Sequence, residues 1–187
     1  MKLAYALCGS FCTHKKAMEA LESIAAGNNI TAVVSESVAS TDTRFGKAKD
    51  LLKRLEEITG AEPINSIKRA EEVITRGGYD ALIISPCTGN TLAKIANGIT
   101  DSTVAMCAKA QLRSCRPVVI AAATNDGLGA NLFNFARMIE RKNVYFVPFG
   151  QDDPVEKPNS LICDFKMLRQ TLFSALEGKQ IQPLLIR

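Results

Sequence analysis

The sequence predicts an α/β protein in which a doubly wound parallel sheet lies between two helical layers. Three observations predict it. Apolar β-branched runs alternate with segments of helical periodicity along all 187 residues. The strand-like runs are continuously apolar rather than alternating, which marks strands covered on both faces. Glycine and asparagine punctuate the change from one element to the next.

The elements follow in order. Leu3–Leu7 is a first strand that ends at Gly9-Ser10. Lys16–Ala26 is helical, with Ala17, Leu21, Ile24 and Ala25 on one stripe, and it stops at Gly27-Asn28. Ile30–Val34 is a second strand, closed by Ser35. Lys47–Ile58 and Ile67–Thr75 are helices that stop at Gly60 and at Gly77-Gly78. Ala81–Ile84 is a buried strand, and Thr91–Ala96 and Val104–Leu112 are helices with Gly98 between them. Val118–Ala123 is a strand, Asn131–Arg141 a helix, Val144–Val147 a strand and Phe165–Glu177 a last helix. The stretch Phe149–Pro158, rich in Asp, Pro and Gly, reads as loop.

Length and composition describe one domain over 1–187, with 47% hydrophobic and 22% charged residues. No run approaches the ~18 apolar residues of a membrane span. The first residues run straight into a strand, so the expected place is the cytoplasm. The net charge of +4 is dispersed and gives no nucleic-acid footprint. Six cysteines and one histidine, without a CxxC pair, give no structural metal site.

Ligands of such folds sit beyond the C-terminal ends of the strands, so the loops there matter. In Cys8–Lys15, Gly9 permits close backbone approach, Ser10 and Thr13 offer hydroxyls, and a helix start follows. The loop lacks the second and third glycines of the dinucleotide fingerprint. His14, the only histidine, is a candidate phosphate contact or acid–base group. Ser35 ends the second strand, where it either donates to a phosphate or caps its own backbone.

The densest loop is Ser85-Pro86-Cys87-Thr88-Gly89-Asn90-Thr91. Three hydroxyls, an amide and a helix N-terminus converge there, more than a cap alone needs. It is the prime candidate for a phosphorylated cofactor. The fourth loop, Ala123–Asn131, contains Thr124 and Asn125 and is either a second wall of that site or a surface turn, with Asn131 capping the next helix.

The run Ser85–Asp101 resembles the signature of the family of homo-oligomeric flavin-containing cysteine decarboxylases, in which a Pro-x-x-x-Asn-Thr-Leu-x-Lys-x-Ala-x-Gly-x-x-Asp pattern recurs. Asn125 stands where those enzymes carry Pro-Ala-Met-Asn. The resemblance implies a Rossmann-like flavoprotein sandwich binding FMN through Gly9, Ser10, Ser35, Ser85, Pro86, Thr88, Asn90, Thr91, Thr124 and Asn125. The family's decarboxylases also place a catalytic histidine after the second strand, and none occurs here between Ser35 and Ala81. That departure argues against cysteine decarboxylation.

Ser40–Gly46, Thr124–Gly129 and Pro148–Ser160 resemble a branch of the family from spore-forming bacteria. The resemblance implies one component of an oxidoreductase for a small dicarboxylate, a partner resembling a nucleotide-binding dehydrogenase, and NADP on that partner or, failing that, on this chain. It also implies a homo-oligomer, a trimer or a multiple of one. Arg44 and Lys47, with Lys109 and Arg113, are candidate carboxylate-binding cations, and Asn125 and His14 candidate catalytic groups. A non-catalytic scaffold role is the alternative that the missing histidine leaves open.

Overall fold

The computed structural model describes residues 1–186. In chain order it holds β1 (Lys2–Leu7), α1 (His14–Ala25), β2 (Asn29–Val34), α2 (Glu36–Ser40), α3 (Ala48–Thr59), α4 (Ile67–Gly77), β3 (Ala81–Cys87) and α5 (Gly89–Ala96). There follow α6 (Thr103–Arg113), β4 (Val118–Thr124), α7 (Leu132–Ile139), β5 (Val144–Phe146), β6 (Phe149–Asp153), β7 (Lys157–Cys163) and α8 (Leu168–Leu176).

β2, β1, β3, β4 and β5 form a parallel sheet in that spatial order, as the continuous apolar runs predict. α1 and α8 pack on one face, with α3 beside α1. α6 covers the other, flanked by α4 and α5, with α7 beyond α5. Every residue of β3 is buried. Truncating Leu82, Ile83 or Ile84 to alanine removes filled core volume and costs about 2–5 kcal/mol each. Local signals act where expected: Ser66 Oγ accepts the Arg69 N–H at the start of α4, and Gly60 closes α3 at φ 76°.

Two expectations are corrected. Phe149–Pro158 is not loop: most of it forms β6 and the start of β7, an antiparallel hairpin. Its turn is held by Asp153, whose Oδ1 accepts the N–H groups of Val155 and Glu156. The charged residues hide the strand from pattern reading because this hairpin is mostly exposed, while its main chain pairs regardless of side-chain polarity. β7 joins the end of β4 through Ala123 and Thr124, so the sheet is parallel along five strands and antiparallel beyond. The second correction lies after β2, where a short helix, α2, follows Ser35 directly.

No helix is long and apolar enough to cross a membrane.

Candidate functional site

The loops after β1, β3 and β4 open onto one cleft of about 690 Å³ beyond the C-terminal ends of these strands. That volume lies in the range of roughly 300–1,000 Å³ usual for small-molecule sites. Gly9 and Ser10, Thr88 and Asn90, Thr124 and Asn125 all line it, as does Arg44. Three loops that the sequence singles out are thus brought to one place.

The floor is the start of α5. Thr88 is its N-cap: its Oγ1 accepts the Thr91 N–H at 3.2 Å and bonds Thr91 Oγ1 at 3.1 Å. The first N–H groups of a helix have no intrahelical acceptor, so Gly89 and Asn90 present theirs to the cleft with the positive end of the helix dipole. Pro86, cis to Ser85, fastens the first loop through its carbonyl, which accepts the Cys8 N–H at 3.2 Å. The Asn90 and Asn125 side chains are exposed and have no hydrogen-bond partner among the described residues. Two amide arms therefore face the cleft with their donors and acceptors unused.

Gly89 does more than shorten the helix start. A Cβ built on it would lie 2.5 Å from Asn131 Nδ2, 2.6 Å from Thr124 Oγ1 and 2.7 Å from Asp126 Oδ1. The third and fourth loops therefore touch, and only glycine fits at the contact. Asp126 itself escapes sequence reading, because nothing local distinguishes it from a turn aspartate. Asn131 does not cap α7 with its side chain, since that amide is turned inward to Asp126 at 2.8 Å.

The remaining wall comes from the hairpin, through Asp152, Lys157 and Ser160. Lys157 Nζ and Asp152 pair at 2.7 Å. Neither is legible as a site residue in a segment that reads as loop. Phe45, which is 54% exposed, stands at the rim with the Arg44 guanidinium 4.8 Å from its ring centroid.

Other candidates lie elsewhere. Ser85 is fully buried in β3 and its hydroxyl has no partner among the described residues. Thr91 is buried behind the cap that it supports. Ser35 Oγ accepts the Val38 N–H at 3.4 Å and meets Ser37 Oγ at 3.0 Å, so it caps α2. His14 Nε2 lies 2.8 Å from the Cys8 carbonyl and donates to it in a neutral ring, since burial holds its pKa below the ordinary value. It tethers the first loop, and with Lys47 it borders a separate 70 Å³ hollow. Lys109 and Arg113 lie far from the cleft, in a groove with Arg141 and Lys142 that borders the N-terminal ends of β4 and β5.

Burial pushes the Cys8 thiol up to about 11 and the Cys107 thiol to about 12. Cys87 and Cys163 are buried and raised likewise. Cys12 and Cys115 are the exposed thiols, and Cys12 lines the cleft.

The chain matches the Flavoprotein family over residues 1–169. It is 42% identical over 186 residues to the dipicolinate synthase B subunit of Bacillus subtilis (strain 168), across 99% of this chain and 93% of that protein. The crystal structure of the dipicolinate synthase B subunit from Bacillus halodurans C superposes with a TM-score of 0.90 at 40% identity, covering 100% of this chain and 96% of that one. The fold extends to Burkholderia xenovorans DmrB in complex with FMN, with a TM-score of 0.69 at 19% identity over 94% of this chain and 95% of that one. A seven-stranded α/β sheet, a helix-start cleft beyond it and these likenesses agree: the chain belongs to the Flavoprotein family.

Proposed function

We propose that this chain is the flavin-holding B subunit of a two-component dipicolinate synthase, which oxidises dihydrodipicolinate or its hydrated precursor to dipicolinate during sporulation. The observation that carries the reading is the cleft, where the open N-terminus of α5 meets two unpaired amide arms, in a chain 42% identical to such a protein. The residues present fit FMN. Its phosphate is suited to the free N–H groups of Gly89 and Asn90, with hydroxyls from Ser10 and Thr88 beside them. The close approach at Gly9 leaves room for the ribityl chain. Thr124 and Asn125 stand where the ring's polar edge would lie, and Phe45 supplies an aromatic face.

Ser85, Pro86 and Thr91 act from behind, by shaping the turn and the cap. Ser35 acts through α2 in the same way. FMN, when bound, supplies a two-electron acceptor for the two hydrogens lost on aromatisation. The chain's own part is to hold the substrate against it. Arg44 in the cleft, with Lys47 three residues on and outside it, is the cation to meet a carboxylate. The partner is the synthase's A subunit, which resembles a nucleotide-binding dehydrogenase and to which NADP is assigned, and both work in the mother-cell cytoplasm. Leu132 and Phe133 of α7 are 50% and 66% exposed, opposite the buried Phe135 and Met138. A helix apolar all round asks for cover, and a second copy of the chain in a homo-oligomer, a trimer or a multiple of one, provides it.

The test is direct. The purified protein is expected to show flavin absorbance over roughly 350–500 nm. Mixing it with the dehydrogenase-like partner and the precursor is expected to raise dipicolinate formation above that of the partner alone. Equal rates with and without this chain would refute the proposal. A colourless preparation that still raises the partner's activity would replace it with a scaffold role.

A further inference from the structure

Asp126 lies two residues past β4, and all of its bonds are made within the protein. One carboxylate oxygen accepts the Thr124 hydroxyl at 2.5 Å, and the other accepts Asn131 Nδ2 at 2.8 Å. Its carbonyl accepts the N–H groups of Gly129 and Asn131 at 3.0 and 3.2 Å. Asn125 sits inside the ring closed by Thr124 and Asp126. The same three side chains, Thr124, Asp126 and Asn131, occupy the space that a Gly89 methyl would need. Beyond Asn131 the bonds continue to Asn134 at 2.9 Å and from there to Asn97 at 3.2 Å, which ties the loop to the far end of α5.

We propose that Asp126 is a positioning residue: it fixes the Asn125 amide relative to the N-terminus of α5, so that the two arms of the cleft are set before a ligand arrives. The proposal rests on the reading that the cleft holds FMN. Asp126 spends both carboxylate oxygens on Thr124 and Asn131 and acts through Asn125. Arms held in place lose less freedom on binding, and the saving appears as affinity.

The variant Asp126→Asn turns one of the two contacts into a donor facing a donor. The double variant Asp126→Asn with Asn131→Asp exchanges donor and acceptor across the same contact and keeps the net charge. FMN affinity, read by flavin fluorescence, is expected to fall about tenfold to a hundredfold in Asp126→Asn. Amide hydrogen exchange over residues 89–91 and 124–131 is expected to quicken in the same variant. The double variant is expected to recover most of both. Unchanged affinity and exchange in Asp126→Asn overturn the proposal. So does a double variant as weak as the single one, which would assign the effect to the carboxylate charge itself. A wild-type protein that binds no FMN refutes the flavin reading alone, and the exchange comparison then still decides whether Asp126 locks the loops.

Discussion

α5 joins two concavities of opposite character. At its N-terminal end is the cleft, of about 690 Å³, lined by hydroxyls, amides and free N–H groups. At its C-terminal end is a groove of about 590 Å³, where Ile95, Ile99 and Leu112 are bordered by Lys109, Arg113, Arg141 and Lys142. Charge counting alone would send an anion to the groove. The backbone says otherwise. The ends of α5, α6 and α7 leave unpaired carbonyls near the groove, and cations there complement the negative ends of helix dipoles. Arg141 shows this directly, donating to the Ile95 carbonyl at 3.1 Å. The cleft has few cations because its N–H groups already favour negative charge. Local side-chain charge is therefore a poor guide to an anion site unless the helix polarity beneath it is known.

Each region carries its own exposed thiol, Cys12 in the cleft and Cys115 in the groove. This gives the sharpest way to break the comparison. At neutral pH a thiol reagent is expected to label these two and spare the four buried cysteines. FMN at 100 times its Kd is expected to slow Cys12 labelling by about a hundredfold and leave Cys115 untouched. Protection of Cys115 instead would move the flavin to the groove.

Gly89→Ala should act next most strongly, since its methyl must displace three polar atoms. Overpacking of this kind costs about 1–3 kcal/mol. The measurable outcomes are a Tm lowered by about 2–4 °C per kcal/mol and FMN affinity reduced by more than about tenfold.

Acid should distinguish the two ends as well. His14 tethers the first loop of the cleft, and its folded pKa is depressed by burial below 6.5. The unfolded chain then binds the proton first. Stability from this group is complete above its unfolded pKa of 6.5 and declines as pH falls below it, with a slope of up to about 1.4 kcal/mol per pH unit until the folded pKa is reached. Denaturant unfolding at pH 7.5 and 5.5 is expected to show the decline, and His14→Gln to remove it. The groove's lysines and arginines do not titrate in that window.

The smallest effect is expected from Arg141→Met. Losing a cation at the end of a helix costs about 0.3–1 kcal/mol, with FMN binding unchanged. A variant that weakens FMN binding would show that the groove and the cleft are not independent.

The comparison also explains what the sequence makes legible. Continuous apolar runs identify β1 to β5 because both faces of each are covered, and hydroxyl density before a helix points to residues 85–91. What a residue type does not reveal is direction. Ser85 and Thr91 carry the same hydroxyl as Thr88, yet only Thr88 of the three lines the cleft, because the turn points the other two into the protein. Lys109 and Arg113 look like substrate cations until α6 places them at its C-terminal end. The contact of Gly89 with Asp126 links residues far apart in sequence, so no local pattern encodes it.

β4 changes neighbours halfway along its length. Its first half, Val118 to Ile120, pairs with β5, and its last residues, Ala123 and Thr124, pair with β7. The strand therefore forks where the ligand loop begins. The parallel part anchors the floor, while the hairpin that supplies Asp152, Lys157 and Ser160 is attached through a short antiparallel seam. The two are modular. An exchanged hairpin would give the cleft a new wall while leaving the register of the five parallel strands, and the helix start they present, as they are. A protein built this way can retune which molecule it accepts without rebuilding the part that holds the cofactor.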